Sequence, residues 1–160
     1  MEQFTGKVWL LGDDIDTDII IPTEYLALKT VKDMAPYGFS PLRPELAAQI
    51  TPGDIIVAGK NFGCGSSREQ APEVIKALGV RAVIARSYAR IFFRNAINNG
   101  LLLIENDTLC NDVKEGDVIE ITMGANTTKI QVTKVVEHAT KDDAGLMYKE
   151  ELMENLNAKS

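Results

Sequence analysis

The residues best suited to chemistry lie in one segment, residues 59–69, which reads Gly-Lys-Asn-Phe-Gly-Cys-Gly-Ser-Ser-Arg-Glu. We call this segment the serine loop. Its three glycines can adopt backbone angles that are closed to other residues, and the amides of such a turn form a concavity that attracts anions. The hydroxyls of Ser66 and Ser67 and the guanidinium of Arg68 follow directly. The segment therefore predicts a binding site for a carboxylate or a phosphate.

A strand and a helix are predicted on either side of the serine loop. Residues 54–58 form a short run rich in β-branched side chains, which is typical of a buried strand, and residues 71–78 have helical spacing that ends at Gly79. We expect Ser66 and Ser67 in the first turn of this helix, where free amides and the helix dipole favour a negative ligand. The glycine spacing matches neither a Walker A loop nor a dinucleotide fingerprint.

A purely structural interpretation of the two serines is also open. Ser67 with Gln70, or Ser66 with Glu69, fits a capping box, in which one hydroxyl only caps the helix. Capping requires one hydroxyl, whereas two are present. Arg68 would also lie at the positive end of the helix, which is unfavourable unless its guanidinium binds an anion. These two observations favour a ligand site.

A second polar segment, residues 12–18, reads Gly-Asp-Asp-Ile-Asp-Thr-Asp and follows a predicted first strand over residues 7–11. We call it the aspartate turn. Its spacing could suit calcium, but the later glycine and the closing glutamate of an EF-hand loop are missing. We expect a hydrogen-bonded turn instead, followed by a strand or extended segment over residues 19–22.

The chain has too few thiols to hold a zinc ion or an iron–sulfur cluster by itself. Cys64 and Cys110 are its two cysteines, and they lie far apart in sequence. Cys64 could be a nucleophile if the helix start lowered its pKa, but no histidine lies near it in sequence. We therefore expect no metal ligands in this chain, an ordinary thiol at Cys110 and a structural role for His138, the one histidine.

The segments after the serine loop alternate between strand and helix. Residues 82–85 and 101–104 are predicted strands on either side of a helix over residues 88–99, and this alternation favours an α/β fold with parallel strands flanked by helices. Arg90 and Arg94 share one face of that helix, which is either a solvated surface or an interface with a partner.

The remaining segments are less regular. Prolines interrupt residues 31–52, which predicts short helical pieces such as residues 45–49 in a lid or interface segment. Residues 116–122 and 128–136 alternate between apolar and polar side chains and predict a β-hairpin of half-exposed strands. We expect a final helix over residues 149–160.

Composition excludes several classes of protein. With 160 residues, 45% of them hydrophobic, the chain can form one domain with a real core, which we expect over residues 1–160. A formal net charge of -6 and a pI of about 4.8 disfavour binding to nucleic acid or to an anionic membrane. No targeting signal or membrane span is evident, so we expect a cytoplasmic protein.

Four motifs are similar to those of one protein family. Residues 12–22, 61–69, 85–95 and 98–102 resemble the small subunits of archaeal-type 3-isopropylmalate dehydratases, in the aconitase superfamily. The resemblance covers residues 6–140. It implies the β/β/α swivelling domain of that superfamily, with parallel strands flanked by helices plus a late β-hairpin.

The resemblance also implies an activity. The family's enzymes are hydro-lyases that interconvert 2-isopropylmalate and 3-isopropylmalate by dehydration and rehydration in leucine biosynthesis. The partners implied are a small dicarboxylic acid and a large subunit that holds a [4Fe-4S] cluster as the Lewis acid. The alternatives are a related dehydratase, such as dimethylmalate dehydratase or homoaconitase, and a non-catalytic anion-binding module.

Site residues follow from the same motif match. Ser66 is the expected base, while Ser67 and Arg68 bind the substrate. Gln70 departs from the histidine that many relatives carry, which affects any proton relay through that position. Residues expected to support the serine loop lie within it and in the aspartate turn, and they are Asp16, Thr17, Asp18, Gly63, Cys64 and Gly65.

A separate segment is expected to select the substrate. Homoaconitase-like relatives carry an arginine just after a Tyr-Leu pair, and this chain has Ala27 there, between Leu26 and Leu28. An apolar loop of this kind favours an isopropyl group over an extra carboxylate. The alternative is that these leucines are simply core residues.

Overall fold

The structure is a computed structural model that describes residues 2–123 and 130–135. Its described strands form one mixed sheet in the order β4-β3-β2-β1-β5-β6. Their bounds are β1 (Glu2–Leu10), β2 (Ile55–Ala58), β3 (Ala82–Ala85), β4 (Leu102–Glu105), β5 (Val118–Met123) and β6 (Ile130–Val135). Strands β1 to β4 pair in parallel, and β5 and β6 continue the sheet in antiparallel pairing. The predicted parallel strands and late hairpin are therefore confirmed.

The described helices are mostly short. The α-helices are α1 (Thr17–Ile20), α2 (Val31–Met34), α3 (Leu46–Gln49), α4 (Gln70–Ala77), α5 (Arg90–Asn98) and α6 (Leu109–Asp112). Two 3₁₀ helices span Thr23–Ala27 and Ala35–Tyr37. The short pieces expected in residues 31–52 are therefore confirmed. Within the described ranges, no helix is long and apolar enough to cross a membrane.

Apolar side chains cover both faces of the sheet. All residues of β2 and β3 are buried, as continuous apolar runs in a parallel sheet require. Ile56 belongs to a core cluster that includes Val74 of α4, whereas Ile55 belongs to a second cluster that includes Leu109 of α6. Helices on both faces therefore fix the sheet, and with it the loops at its edges.

Residues 19–22 do not form the predicted strand or extended segment throughout. Asp16 caps α1 by accepting a hydrogen bond from the amide of Ile19 at 2.8 Å, so residues 17–20 are helical and only Ile21 and Pro22 are extended. A local side-chain cap explains why this apolar run does not become a strand. The expected helix over residues 149–160 lies outside the described residues.

The loops after three neighbouring strands meet at one edge of the sheet. Because β1, β2 and β3 are parallel, their carboxyl ends point the same way, and ligands of open α/β sheets bind at such an edge. The amide of Gly59, after β2, donates to the carbonyl of Gly12, after β1, at 3.1 Å. The amide of Arg86, after β3, donates to the carbonyl of Gly59 at 3.0 Å.

Candidate active site

Hydrogen bonds attach the aspartate turn to the serine loop. The amide of Asp14 donates to the carbonyl of Lys60 at 2.8 Å, and the amide of Gly63 donates to the carbonyl of Ile15 at 2.7 Å. The carboxylate of Asp13 accepts from the amide of Lys60 at 2.7 Å. These bonds make one connected unit of the two loops.

Thr17 holds the serine loop in place with two hydrogen bonds. It is 2% exposed, its amide donates to the carbonyl of Cys64 at 2.8 Å, and its Oγ1 donates to the carbonyl of Ser66 at 2.8 Å. A buried hydroxyl that lost this acceptor would carry a desolvation cost, so the bond holds the backbone at Ser66 in place.

Two positions of the serine loop require glycine because of their backbone angles, and one of them also because of a close neighbour. Gly63 and Gly65 have φ angles of 83° and 91°, in the left-handed region that favours glycine. Gly63 is also so close to the ring of Phe92 that a Cβ atom there would overlap it. The loop conformation therefore depends on both the backbone freedom and the absent side chain of Gly63.

The two serines precede α4, so the prediction that they lie in its first turn is wrong. Helix α4 begins at Gln70, and the side chain of its N-cap, Glu69, makes no capping hydrogen bond. Pro72 accounts for this start, because in a longer helix its ring would clash with the carbonyl four residues earlier and its missing N–H would break a helical bond. The capping-box interpretation of Ser66 and Ser67 is wrong as well.

Ser66 and Ser67 are exposed at a cavity of about 290 Å³, which we call the serine cavity. Within the described part of the chain, the carbonyl of Ser66 has a partner, but neither serine hydroxyl has one. One wall of the cavity is formed by Thr17 and the serine loop, and the other by residues 89–92 at the start of α5. The hydroxyls are therefore available to a ligand.

The start of α5 is the part of the site that the sequence analysis did not identify. The amides in the first turn of a helix lack intrahelical partners, and the N-cap of α5, Ala89, has no polar side chain to bind them. The start of α5, rather than that of α4, therefore places the free amides of a helix end at the cavity. The signal was present in the order of the segments, since adjacent parallel strands bring their following loops together.

Arg68 connects the cavity to the aspartate turn and to the helix Thr23–Ala27. Its Nη1 donates to the carbonyl of Ile21 at 3.0 Å, and its Nη2 donates to Oγ1 of Thr23 at 2.8 Å. Nη2 also lies 2.6 Å from Oδ1 of Asp18, whose side chain is 62% exposed. The guanidinium is thus partly occupied within the chain.

The expected specificity residues lie beside this site and do not line the cavity. Leu26 and Ala27 belong to the helix Thr23–Ala27, and Leu28 follows it. Leu26 packs partly against the core, whereas Ala27 and Leu28 are exposed. Arg68 is the structural link between this segment and the serine loop, through its bond to Thr23.

Neither described cysteine has the environment of a nucleophile. Burial, followed by the carboxylates of Asp16 and Asp14, raises the pKa of the Cys64 thiol, so the thiol is protonated near neutral pH. Cys110 is half-buried against the second core cluster. No three His, Cys, Asp or Glu side chains in the described ranges are grouped as metal ligands, and His138 lies outside those ranges.

Known proteins resemble the chain in sequence. Residues 40–109 match the aconitase C-terminal domain family. A 3-isopropylmalate dehydratase small subunit from Lachnospira eligens is 79% identical over 127 residues, which cover 79% of this chain and 77% of the relative. A methanogen homoaconitase small subunit from Methanothermobacter thermautotrophicus is 49% identical over 127 residues, which cover 75% of each chain.

A solved structure has the same fold. The crystal structure of a 3-isopropylmalate dehydratase from Methanocaldococcus jannaschii aligns with a TM-score of 0.73 at 38% sequence identity, covering 99% of both chains. The fold expected from the sequence motifs is therefore confirmed. Together with the sequence relatives, this match shows that the chain belongs to the family of 3-isopropylmalate dehydratase small subunits, in the aconitase superfamily.

Proposed function

We propose that the chain is the small subunit of a cytoplasmic hydro-lyase that interconverts 2-isopropylmalate and 3-isopropylmalate in leucine biosynthesis. The observation that carries this proposal is the pair of exposed hydroxyls, Ser66 and Ser67, at a cavity whose opposite wall is a helix N-terminus. Such a cavity suits a carboxylate-bearing substrate. The name of the Lachnospira eligens relative supports the same activity.

The reaction requires a base for a proton next to a carboxylate and a Lewis acid for the departing hydroxide. In the aconitase superfamily a [4Fe-4S] cluster supplies the Lewis acid. The two cysteines of this chain, Cys64 and Cys110, are fewer than the thiolates such a cluster needs. We assign the cluster to a large subunit that covers the cavity, which leaves proton transfer and carboxylate binding to this chain.

We assign the role of base to Ser66 and that of substrate donor to Ser67, and the fixed backbone at Ser66 supports this assignment. Thr17 holds the carbonyl of Ser66, which fixes the backbone that carries the reacting Oγ, and Ser67 Oγ is then free to bind a substrate oxygen. A helix dipole stabilises a nearby anion by at most about 2 kcal/mol, far too little to ionise a serine. Arg68, the loop amides and charges of the large subunit must supply the remainder.

Arg68 binds a substrate carboxylate in this proposal. A guanidinium has five N–H donors, and Ile21, Thr23 and Asp18 engage three of them in the described part of the chain. Two donors remain for a substrate carboxylate, and a substrate could also displace the exposed Asp18 carboxylate from a third. A carboxylate can bind two N–H groups of one guanidinium at once.

Leu26, Ala27 and Leu28 select the substrate's side group. Burying the three carbons of an isopropyl group contributes about 2 kcal/mol. An unpaired carboxylate facing the same leucines would cost several kcal/mol, so homoaconitate should be rejected. Leu28 is exposed in this chain, and the large subunit would have to complete the apolar pocket around it.

The test is anaerobic reconstitution with the large subunit from the same source, with 3-isopropylmalate, homoaconitate and dimethylmalate assayed in parallel. We expect kcat/KM for 3-isopropylmalate to exceed that for homoaconitate by at least about 100-fold. Ala27→Arg should shift preference toward homoaconitate, while Ala48→Arg, at another exposed alanine, should not.

Other outcomes would overturn the proposal in distinct ways. Equal turnover of 3-isopropylmalate and homoaconitate would show that this segment does not set specificity. Preference for dimethylmalate would identify the related dehydratase. Carboxylate binding by the chain alone, with no turnover after the large subunit is added, would identify a non-catalytic module.

A further inference from the structure

We infer that the outer face of α5 is the surface on which the large subunit docks, an inference that rests on the proposed function. We define the outer α5 face by the helix residues that point away from the core. They are Arg90, Ile91, Phe93, Arg94, Ile97 and Asn98.

This face has the wrong polarity for a helix that meets only water. At 3.6 residues per turn its six side chains lie within an arc of about 160°, opposite the buried Phe92 and Ala96. Ile91, Phe93 and Ile97 are nevertheless 52%, 39% and 48% exposed. Phe93 and Ile97 lie side by side toward one edge of this arc and Ile91 lies at the other edge, with the two arginines between them. Exposed apolar side chains grouped with polar ones on one helix face mark interaction surfaces in soluble proteins.

Charge indicates what kind of surface covers this face. Helix α5 carries Arg90 and Arg94 and no acidic residue, although the whole chain has a formal net charge of -6. Arg90 lies in the first turn, where the helix dipole disfavours a cation. Carboxylates of a partner would offset this cost, so the partner's matching surface should present carboxylates to the two arginines and apolar side chains on either side of them.

The outer α5 face is continuous with the candidate active site. Arg90 lines both the serine cavity and a groove of about 440 Å³ whose other walls are Phe93, Arg94, Ile97 and Asn98. A subunit that brings its cluster to a substrate bound at Ser66 must cover the first turn of α5. The same approach places its surface over the groove, which favours the large subunit over a second copy of this chain.

The test uses two variants that lie outside the serine cavity. Ile97→Asp places a charge among the apolar side chains of the face, and Arg94→Glu reverses one of the two charges near its middle. Leu42→Asp and Lys32→Glu are matched controls, since both side chains are exposed on other segments. Dissociation constants for the large subunit are measured by calorimetry under anaerobic conditions, and circular dichroism melting checks that each variant is folded.

We expect Ile97→Asp and Arg94→Glu each to weaken subunit association by at least about tenfold, with both controls within about twofold of wild type. Turnover at saturating large subunit should stay near normal, because neither residue lines the serine cavity. Unchanged dissociation constants in the two variants would overturn the inference. So would a wild-type chain that self-associates through this face while the variants bind the large subunit normally.

The outcome is separable from that of the proposed function. If the wild-type complex forms and turns over 3-isopropylmalate while both variants bind normally, the docking surface is wrong and the function stands. If the complex forms through α5 but turns over none of the tested acids, the function is wrong and the docking surface stands.

Discussion

The polar groups at the two ends of β2 differ in burial and in hydrogen bonding. At its amino end, Asp54 is 4% exposed and accepts hydrogen bonds from Nε1 of Trp9 at 2.7 Å, from the amide of Thr51 at 2.8 Å and from Oγ1 of Thr51 at 3.0 Å. At its carboxyl end, Ser66 and Ser67 are exposed, and their hydroxyls have no partner among the described residues.

The difference shows where the chain uses its polar groups for folding and where it leaves them for a ligand. The Asp54 cluster is closed, because each carboxylate oxygen has a partner and the cost of burial is offset. At the two serines the hydroxyls have no partner among the described residues, while Thr17 and the aspartate turn hold the backbone of the serine loop. A backbone held in place that presents hydroxyls without partners is suited to binding a ligand.

The largest expected effect concerns the serine loop, which follows the carboxyl end of β2. In the assembled enzyme, Ser66→Ala should lower kcat by at least about 1000-fold and leave KM little changed, as expected for a group that acts in the transition state. Its melting temperature should not move, because the exposed hydroxyl supports no described contact. Steady-state kinetics alongside Ser67→Ala provide the control. Near-normal kcat in Ser66→Ala with a large loss in Ser67→Ala would transfer the role of base to Ser67.

The opposite result, a loss of stability with normal kcat, is expected for the Asp54 cluster at the amino end of β2. Asp54→Ala leaves the Trp9 indole N–H and the Thr51 amide without acceptors, so the free energy of unfolding should fall by about 2 to 3 kcal/mol. The kcat of the assembled, folded enzyme should stay normal. Denaturant unfolding measures the loss, with Asp33→Ala at an exposed carboxylate as the control. A large fall in kcat without destabilisation would contradict the contrast between the two ends.

A smaller effect is expected from an ion pair near Trp9. Nη1 and Nη2 of Arg43 lie 2.5 Å and 3.0 Å from the carboxylate oxygens of Glu115, and this contact lowers the pKa of that carboxyl. A lowered pKa in the folded state contributes stability above the usual glutamate pKa of 4.5, and this contribution is lost as pH falls through the folded-state value.

Both side chains of this pair are partly solvated, at 25% and 37% exposure, so Glu115→Gln should cost less than about 1 kcal/mol at pH 7. The difference in free energy of unfolding between Glu115→Gln and wild type should shrink as pH falls below 4.5. Denaturant midpoints at pH 7 and at lower pH measure it, with Glu24→Gln, at an exposed position, as control. A difference that grew at low pH would reverse the assigned direction of the pKa shift.

Sequence reasoning located the elements better than the details of the site. Apolar runs identified β2 and β3 because both strands are buried on two faces, and alternation identified β5, whose Ile119 and Ile121 are buried. The start of α4 was misplaced because Pro72 and the hydrogen bond from Thr17 to the Ser66 carbonyl, rather than a serine cap, determine the loop.

The parts of the site that sequence reasoning missed depend on contacts between distant segments. Residues 89–92 reach the cavity only because β3 pairs beside β2, and no local pattern reports that neighbour. The contacts of Arg68 with Ile21 and Thr23 likewise join residues more than forty positions apart. Motif similarity named the serines and Arg68, whereas only the packed structure shows what surrounds them.

A titration shows whether this chain supplies an essential half of a shared active site, as we propose. Increasing amounts of the large subunit are added anaerobically to a fixed amount of this chain, and turnover of 3-isopropylmalate is measured. We expect no turnover by either subunit alone and a rate that rises and saturates at a fixed ratio of the two. Turnover by this chain without the large subunit, or full turnover by the large subunit alone, would contradict it.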